Sequence, residues 1–167
     1  MKTIIKDYTE LPEDLINQKL QNYQPTELKG KIWNAKKNWL NEYEVQHLEI
    51  EDELSNAVKE ILLKYFPDYR MKNTITRLNK VVKDSNKDDG YHDDHTSGNI
   101  ILIHYPKSNT YFEGGEFDWK DTEIIKPTPG LNLILVNNPM HRVMNVTEGE
   151  RYSFSWFFKM YKRDNLI

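Results

Sequence analysis

The sequence predicts a mainly β protein, a sandwich or jelly roll with helices gathered at its N-terminus. Three observations lead there. Apolar residues recur at helical spacing before Pro67, the period changes to two from Met71, and about eight short runs then follow. Gly, Pro and Asn turns rather than helices separate those runs, which argues against a βαβ fold. At 167 residues the chain suits one domain, with 1–67 as helical support and 71–160 as the β core.

The elements follow in order. Pro12, Glu13 and Asp14 suit a helix first turn, and Leu15, Ile16 and Leu20 share a face. A second helical stretch is expected over 30–43, around Ile32, Trp33, Trp39 and Leu40. The strongest helix spans 50–66: Ile50, Leu54, Ala57, Val58, Ile61, Leu62 and Tyr65 form one stripe, and Glu51, Asp52 and Glu53 suit its positive end. Strands are expected over 74–82, 99–105, 116–119, 123–125, 131–136, 142–146 and 151–158, with a short extended piece over 91–96. The polar loop 83–90, just ahead of that piece, is expected to act as a lid, and 159–167 to be a frayed end. Along 151–158, Arg151, Ser153 and Ser155 alternate with Tyr152, Phe154, Trp156 and Phe158. One face is greasy and suits the helices; the other lines solvent or a polar cavity.

Composition excludes several classes. Net charge is −3, so a generally basic nucleic-acid coat is absent. An aromatic content of 12% argues against disorder. With no Cys there are no disulfides, zinc-thiolate sites or thiol nucleophiles. No apolar run approaches the roughly 20 residues of a membrane span, and the start of the chain does not read as a signal peptide. A cytoplasmic protein without membrane partners is expected.

Four of the five histidines, His92, His95, His104 and His141, lie in the β half. On an extended segment His92 and Asp94 project to one face, roughly 6–7 Å apart at Cα, and offer an imidazole and a carboxylate to one ion. His141, at the start of a late strand, supplies a third group. Two His and one carboxylate with open positions is the ligand set of non-haem Fe(II) oxygenases. Asp93 and His95 have the same spacing on the opposite face, so a register shift would exchange the pairs. Ten residues after His141, Arg151 and Ser153 put a guanidinium and a hydroxyl on one strand face, suited to a carboxylate. Iron at one point and Arg with Ser deeper in would hold a dicarboxylate between them.

Residues 91–158 resemble the prolyl-4-hydroxylase-like branch of the Fe(II)- and 2-oxoglutarate-dependent dioxygenases. The resemblance lies in Tyr91-His92-Asp93-Asp94-His95, the strand 99–105, Phe112-Glu113-Gly114-Gly115-Glu116-Phe117, Pro129-Gly130-Leu131, His141-Arg142-Val143 and Gly149-Glu150-Arg151-Tyr152-Ser153. It implies a double-stranded β-helix over 71–160, a jelly roll backed by α-helices. It further implies His92, Asp94 and His141 as ligands of Fe(II), and Arg151 with Ser153 on the distal carboxylate of the cosubstrate 2-oxoglutarate. His104 stands where the family usually carries a Tyr touching the same carboxylate. The implied activity is hydroxylation of a peptidyl or amino-acid substrate resembling proline, consuming O₂ and releasing succinate and CO₂.

Taken singly, each of these residues has a structural explanation: a hydrogen-bonded strand histidine, a polar turn at Asp93-Asp94, a surface ion pair for Arg151. Occurring together in family order, they favour the chemical one. Three competing classes are a non-catalytic jelly-roll module for a small anion, an oxygenase acting on nucleic acid, and a zinc-dependent cupin-like enzyme. Lysines 29, 31, 36 and 37 beside Trp33 read as a solvated face more readily than as a nucleic-acid contact.

Overall fold

The computed structural model describes residues 1–29, 32–33, 39–40, 43–83 and 90–163, with backbone alone at 27–29, 32–33 and 39–40. In chain order its elements are β1 (Thr3–Asp7), α1 (Glu13–Gln21), β2 (Glu27–Lys29), β3 (Ile32–Trp33), β4 (Trp39–Leu40), β5 (Tyr43–Leu48), α2 (Glu53–Tyr65), β6 (Tyr69–Val82) and β7 (Ile100–His104). They continue with β8 (Phe112–Gly114), β9 (Phe117–Trp119), β10 (Glu123–Ile125), β11 (Asn132–Val136), β12 (His141–Val143) and β13 (Val146–Lys162). The large antiparallel sheet runs β1-β11-β7-β13-β6-β5-β2, with β8 on the first part of β13; β10-β9-β12 form a small sheet and β3-β4 a two-stranded one. This is the expected jelly roll.

Strand β7 shows how the layers are made. Ile100 and Leu102 enter a core with α1 and α2, whereas Ile101 enters one with Phe117, Val143, Leu133 and Phe157. The helices therefore back one face of the large sheet, and the small sheet covers the other. Helix α2 starts where Asp52 accepts from the Ser55 N–H at 2.8 Å, leaving Val58 and Leu62 fully buried and ending before Pro67.

The N-terminal third departs from expectation. Residues 1–67 are not purely helical support: β1 pairs along the β11 edge, and β5 and β2 extend the sheet beyond β6. The helix expected over 30–43 is replaced, among the described residues, by the short strands β3 and β4. The physical reason is composition: Thr3-Ile4-Ile5 and the stretch rich in Ile, Trp, Tyr and Val suit a pleated surface, and open sheet edges were available to pair with them. Strand β6 starts at Tyr69, ahead of the expected strand, and β13 stays paired to Lys162 opposite Tyr69, so 159–162 are not frayed. The expected lid falls largely on 84–89, outside the described residues. Among the described residues no helix is long and apolar enough to cross a membrane.

Candidate metal and anion site

His92 and His141 meet as partners in an isolated antiparallel bridge. The His92 N–H donates to the His141 carbonyl at 2.8 Å, and the His141 N–H to the His92 carbonyl at 2.9 Å. Their rings lie 4.5 Å apart, and His141 also stacks on Phe117 at 4.8 Å. Asp94 reaches the pair by a route different from the extended one expected. Its φ of +60° is left-handed, a conformation Asp tolerates, and the Ser97 N–H closes a turn on its carbonyl at 3.0 Å. The carboxylate then lies 3.2 Å from His141 Nε2 and 3.6 Å from His92 Nε2.

The donor chemistry suits a metal. Each Nδ1 lies on a backbone carbonyl, His92 on Gly90 at 2.9 Å and His141 on Pro139 at 2.8 Å. A carbonyl only accepts, so Nδ1 is the donor in both rings and Nε2 is the nitrogen left to face a metal. One ligand atom from each of His92, Asp94 and His141 lies within 4.8 Å of the others. The alternative pair is spent elsewhere: Asp93 accepts from the His95 backbone N–H and lies 2.6 Å from its Nδ1 at the surface.

A second ring of contacts ties the His92 and His141 segments together. Tyr91 precedes one histidine and Arg142 follows the other. The Tyr91 hydroxyl donates to Asp118 at 2.7 Å, and Arg142 Nε donates to the same carboxylate oxygen at 2.9 Å. The Arg142 guanidinium also lies 5.0 Å over the Tyr91 ring. The β9–β12 register produces this, pairing Asp118 with Arg142 and Trp119 with His141. The hydrogen bond from Tyr91 and the charge of Arg142 hold the Asp118 carboxyl below its ordinary range, despite the opposing effect of burial. Nothing in the sequence spacing flagged this clamp.

Arg151 is 1% exposed, and Ser153 beside it is also buried. Both project to the inner face, as alternation predicted, while Phe154 and Trp156 face the helices. Arg151 Nη1 donates to the Gly115 carbonyl at 3.2 Å, its Nε has no partner, and its guanidinium lies 6.0 Å over the Tyr105 ring. Burial lowers the pKa of the guanidinium without discharging it. A desolvated cation with an unmet donor is matched to an anion. Gly115 makes room for it: at φ +69° it is left-handed, and a Cβ there would stand 3.0 Å from Nη1.

His104 is placed otherwise than expected. It shares its face with Ile100 and Leu102, packs toward Phe154 at 6.3 Å and bonds Asn132 Oδ1 through Nδ1 at 2.7 Å. That is the helix side of the sheet, opposite Arg151. The next residue, Tyr105, occupies the inner face against Arg151 and replaces it there.

The fold and these residues define a jelly roll with two imidazoles, one carboxylate and a buried arginine on its inner side. No protein-family model matches the sequence, and no curated protein is detectably similar to it. Solved structures are similar in fold. A 2OG-Fe(II) oxygenase family oxidoreductase from Burkholderia pseudomallei superposes with TM-score 0.60 at 18% identity, over 87% of this chain and 77% of that one. The viral collagen prolyl hydroxylase of Paramecium Bursaria Chlorella virus-1, solved as a 2OG complex, gives TM-score 0.61 at 15% identity over 93% and 94%. A prolyl-4-hydroxylase from Pseudomonas putida gives 0.57 at 12% identity over 97% and 94%.

Proposed function

We propose that this chain is an Fe(II)- and 2-oxoglutarate-dependent dioxygenase that hydroxylates a peptidyl or amino-acid substrate resembling proline. The observation that carries the proposal is the convergence of His92 Nε2, His141 Nε2 and the Asp94 carboxylate within 4.8 Å. The buried guanidinium of Arg151 on the inner face of the same jelly roll supports it, as does similarity in fold to 2OG-Fe(II) oxygenases and prolyl hydroxylases.

When bound, iron and 2-oxoglutarate supply the oxidation: O₂ gives one atom to the cosubstrate, which becomes succinate and CO₂, and one to the substrate as hydroxyl. The side chains hold and orient. His92 and His141 donate neutral nitrogens, and Asp94 contributes one negative charge, so a ferrous ion keeps net positive charge for an anionic cosubstrate. The Gly90 and Pro139 carbonyls fix both rings, and the clamp on Asp118 fixes the segments carrying them. Arg151 pairs with the far carboxylate of 2-oxoglutarate, with the Ser153 hydroxyl as a second donor. Val81, opposite Arg151, and Tyr105 beneath its guanidinium are both buried and keep that region dry, which strengthens the pairing.

The test is succinate release from 2-oxoglutarate under air with Fe(II) and a panel of proline-containing peptides and free amino acids. Succinate formation that rises with one class and yields a substrate 16 Da heavier is expected. Tight 2-oxoglutarate binding without any succinate would instead make the chain an anion-binding module.

A further inference from the structure

Strand β13 continues beyond the site. After Arg151, Ser153, Ser155 and Phe157, alternation brings Lys159 and Tyr161 to the same side, while Phe158 and Met160 pack with the helices. In the β6–β13 register Lys159 stands opposite Lys72 and Tyr161 opposite Arg70. Residues opposite each other in an antiparallel pair share a face. Arg70, Lys72, Lys159 and Tyr161 therefore lie together, and all four are exposed. Met71, between two of them, is buried toward the helices.

This end of the strand pair adjoins the segment carrying Asp94. Thr74 Oγ1 donates to the Ser97 carbonyl at 2.6 Å, and the Ser97 N–H donates to the Asp94 carbonyl at 3.0 Å. Lys72 is two residues from Thr74, roughly 7 Å at Cα. The cations thus lie beyond the Asp94 turn, outside the space between the metal ligands and Arg151.

The patch is not neutralised by its own chain. Lys72 and Lys159 are directly opposed like charges, an arrangement that destabilises a sheet. Among the described residues Arg70, Lys72 and Lys159 make no ion pair. Lys72 feels the charge of Glu51, but that carboxylate is bound to Lys59 at 3.0 Å and to the Asn73 N–H at 2.9 Å. Asp93, in the ligand segment, is bound to His95.

Charge and spacing select the partner. Cross-strand neighbours stand roughly 5 Å apart, and positions two along a strand roughly 7 Å. An extended peptide with carboxylates on alternate residues repeats the second spacing. A nucleic acid suits the patch less well, since it brings a charge with every phosphate to a chain of net charge −3.

We propose that Arg70, Lys72 and Lys159 bind an acidic, extended segment of the substrate polypeptide that flanks the residue brought to the metal. The half-exposed Tyr161 ring adds an apolar contact. Placing that segment in the substrate rests on the reading of His92, Asp94 and His141 as iron ligands; affinity for acidic peptide does not.

The experiment starts with the metal-free full chain and fluorescence anisotropy of short labelled peptides. Each has a central proline and a flank of alternating Asp, or the same flank with Asn. At low salt the acidic peptide is expected to bind at least about 5-fold more tightly, and high salt to shrink the difference. K72Q/K159Q is expected to remove most of the preference and, by relieving the like-charge pair, to keep its thermal stability. K72E/K159E is expected to favour a lysine flank, and R70Q serves if neither double variant folds. With Fe(II) and 2-oxoglutarate, the acidic flank should lower the KM for succinate release in the wild type and not in K72Q/K159Q.

Equal binding of the two peptides, or a preference that survives K72Q/K159Q and R70Q, would overturn the proposal. So would a single-stranded oligonucleotide that binds more tightly than the acidic peptide and is lost in the same variants, which would assign the patch to nucleic acid. Preferential binding with no effect on succinate release would remove the segment from the substrate. A wild type that prefers the acidic peptide but forms no absorbing iron–2-oxoglutarate complex would sink the iron-site reading and leave the acidic-peptide surface standing.

Discussion

His92 and His141, 49 residues apart in sequence, hold each other by two backbone hydrogen bonds of 2.8 and 2.9 Å, so their rings project to one side. The pairing makes the metal geometry a property of the backbone, with Asp94 added from a turn. Asp94→Asn keeps that geometry and removes the charge. Fe(II) affinity should fall by about 100-fold or more, since Asp94 is proposed as a direct ligand and losing an outer partner alone costs 10–100-fold. Metal titration of the apo protein measures it; unchanged affinity would remove Asp94 from the site.

The clamp on Asp118 makes a separate prediction. Asp118→Asn weakens the bond from Arg142 while leaving every metal ligand in place. Metal affinity should drop by about 10-fold, within the range for outer partners, and Asp118→Glu should recover part of it. If Asp118→Asn lowers thermal stability but leaves the metal constant alone, the clamp serves the fold and not the site.

Arg151→Gln and Gly115→Ala should act on the same constant. The first removes a buried charge partner, and 2-oxoglutarate affinity should fall on the order of 100-fold. The second puts a Cβ 3.0 Å from Nη1 at a left-handed φ, and should weaken the cosubstrate by displacing the guanidinium. Titrating 2-oxoglutarate against the metal-loaded variants tests both. A Gly115→Ala protein with normal affinity would separate Arg151 from the glycine pair.

Behind the sheet, a buried network runs from His104 through Asn132 to Asp7, which also accepts from Thr9 and from Tyr65 at 2.5 Å. The phenol of Tyr65 is pushed up to about 12 and remains a donor. Burial pushes Asp7 upward, but the bonds from Tyr65, Asn132 and Thr9 outweigh it and hold the carboxyl low. Burial holds His104 below its ordinary value. Both folded pKa values are depressed, so each contribution is full above the unfolded pKa and is lost as pH falls through the folded value. Stability should therefore decline first below about pH 6.5, where unfolded histidine takes up a proton, and again through the carboxylate range. Denaturant midpoints across pH should show the first decline flattened in His104→Gln and the second in Asp7→Asn; parallel curves for all three proteins would contradict this.

What the sequence made legible depended on two-sided patterning. Strand β13 alternates large aromatics with Arg and Ser, so the inward face of Arg151 and Ser153 could be read directly. Strand β7 is apolar on both faces, Ile100 through Ile103, and carries no alternation. His104 and Tyr105 were therefore indistinguishable by pattern, and a one-residue step puts them on opposite sides. The strands β1, β2 and β5 depend on distant partners; β1 pairs with β11 some 130 positions later. The Tyr91–Asp118–Arg142 contact likewise needs the β9–β12 register, which local spacing does not contain.

The proposed activity requires one metal held by two imidazoles and a carboxylate within reach of a cosubstrate anion. Its most direct test is absorption spectroscopy under anaerobic conditions, adding Fe(II) and then 2-oxoglutarate to the full chain. A visible charge-transfer band is expected for the wild type and should disappear in His141→Ala. A wild type with no band, or a His141→Ala protein that keeps it, would rule out this metal site.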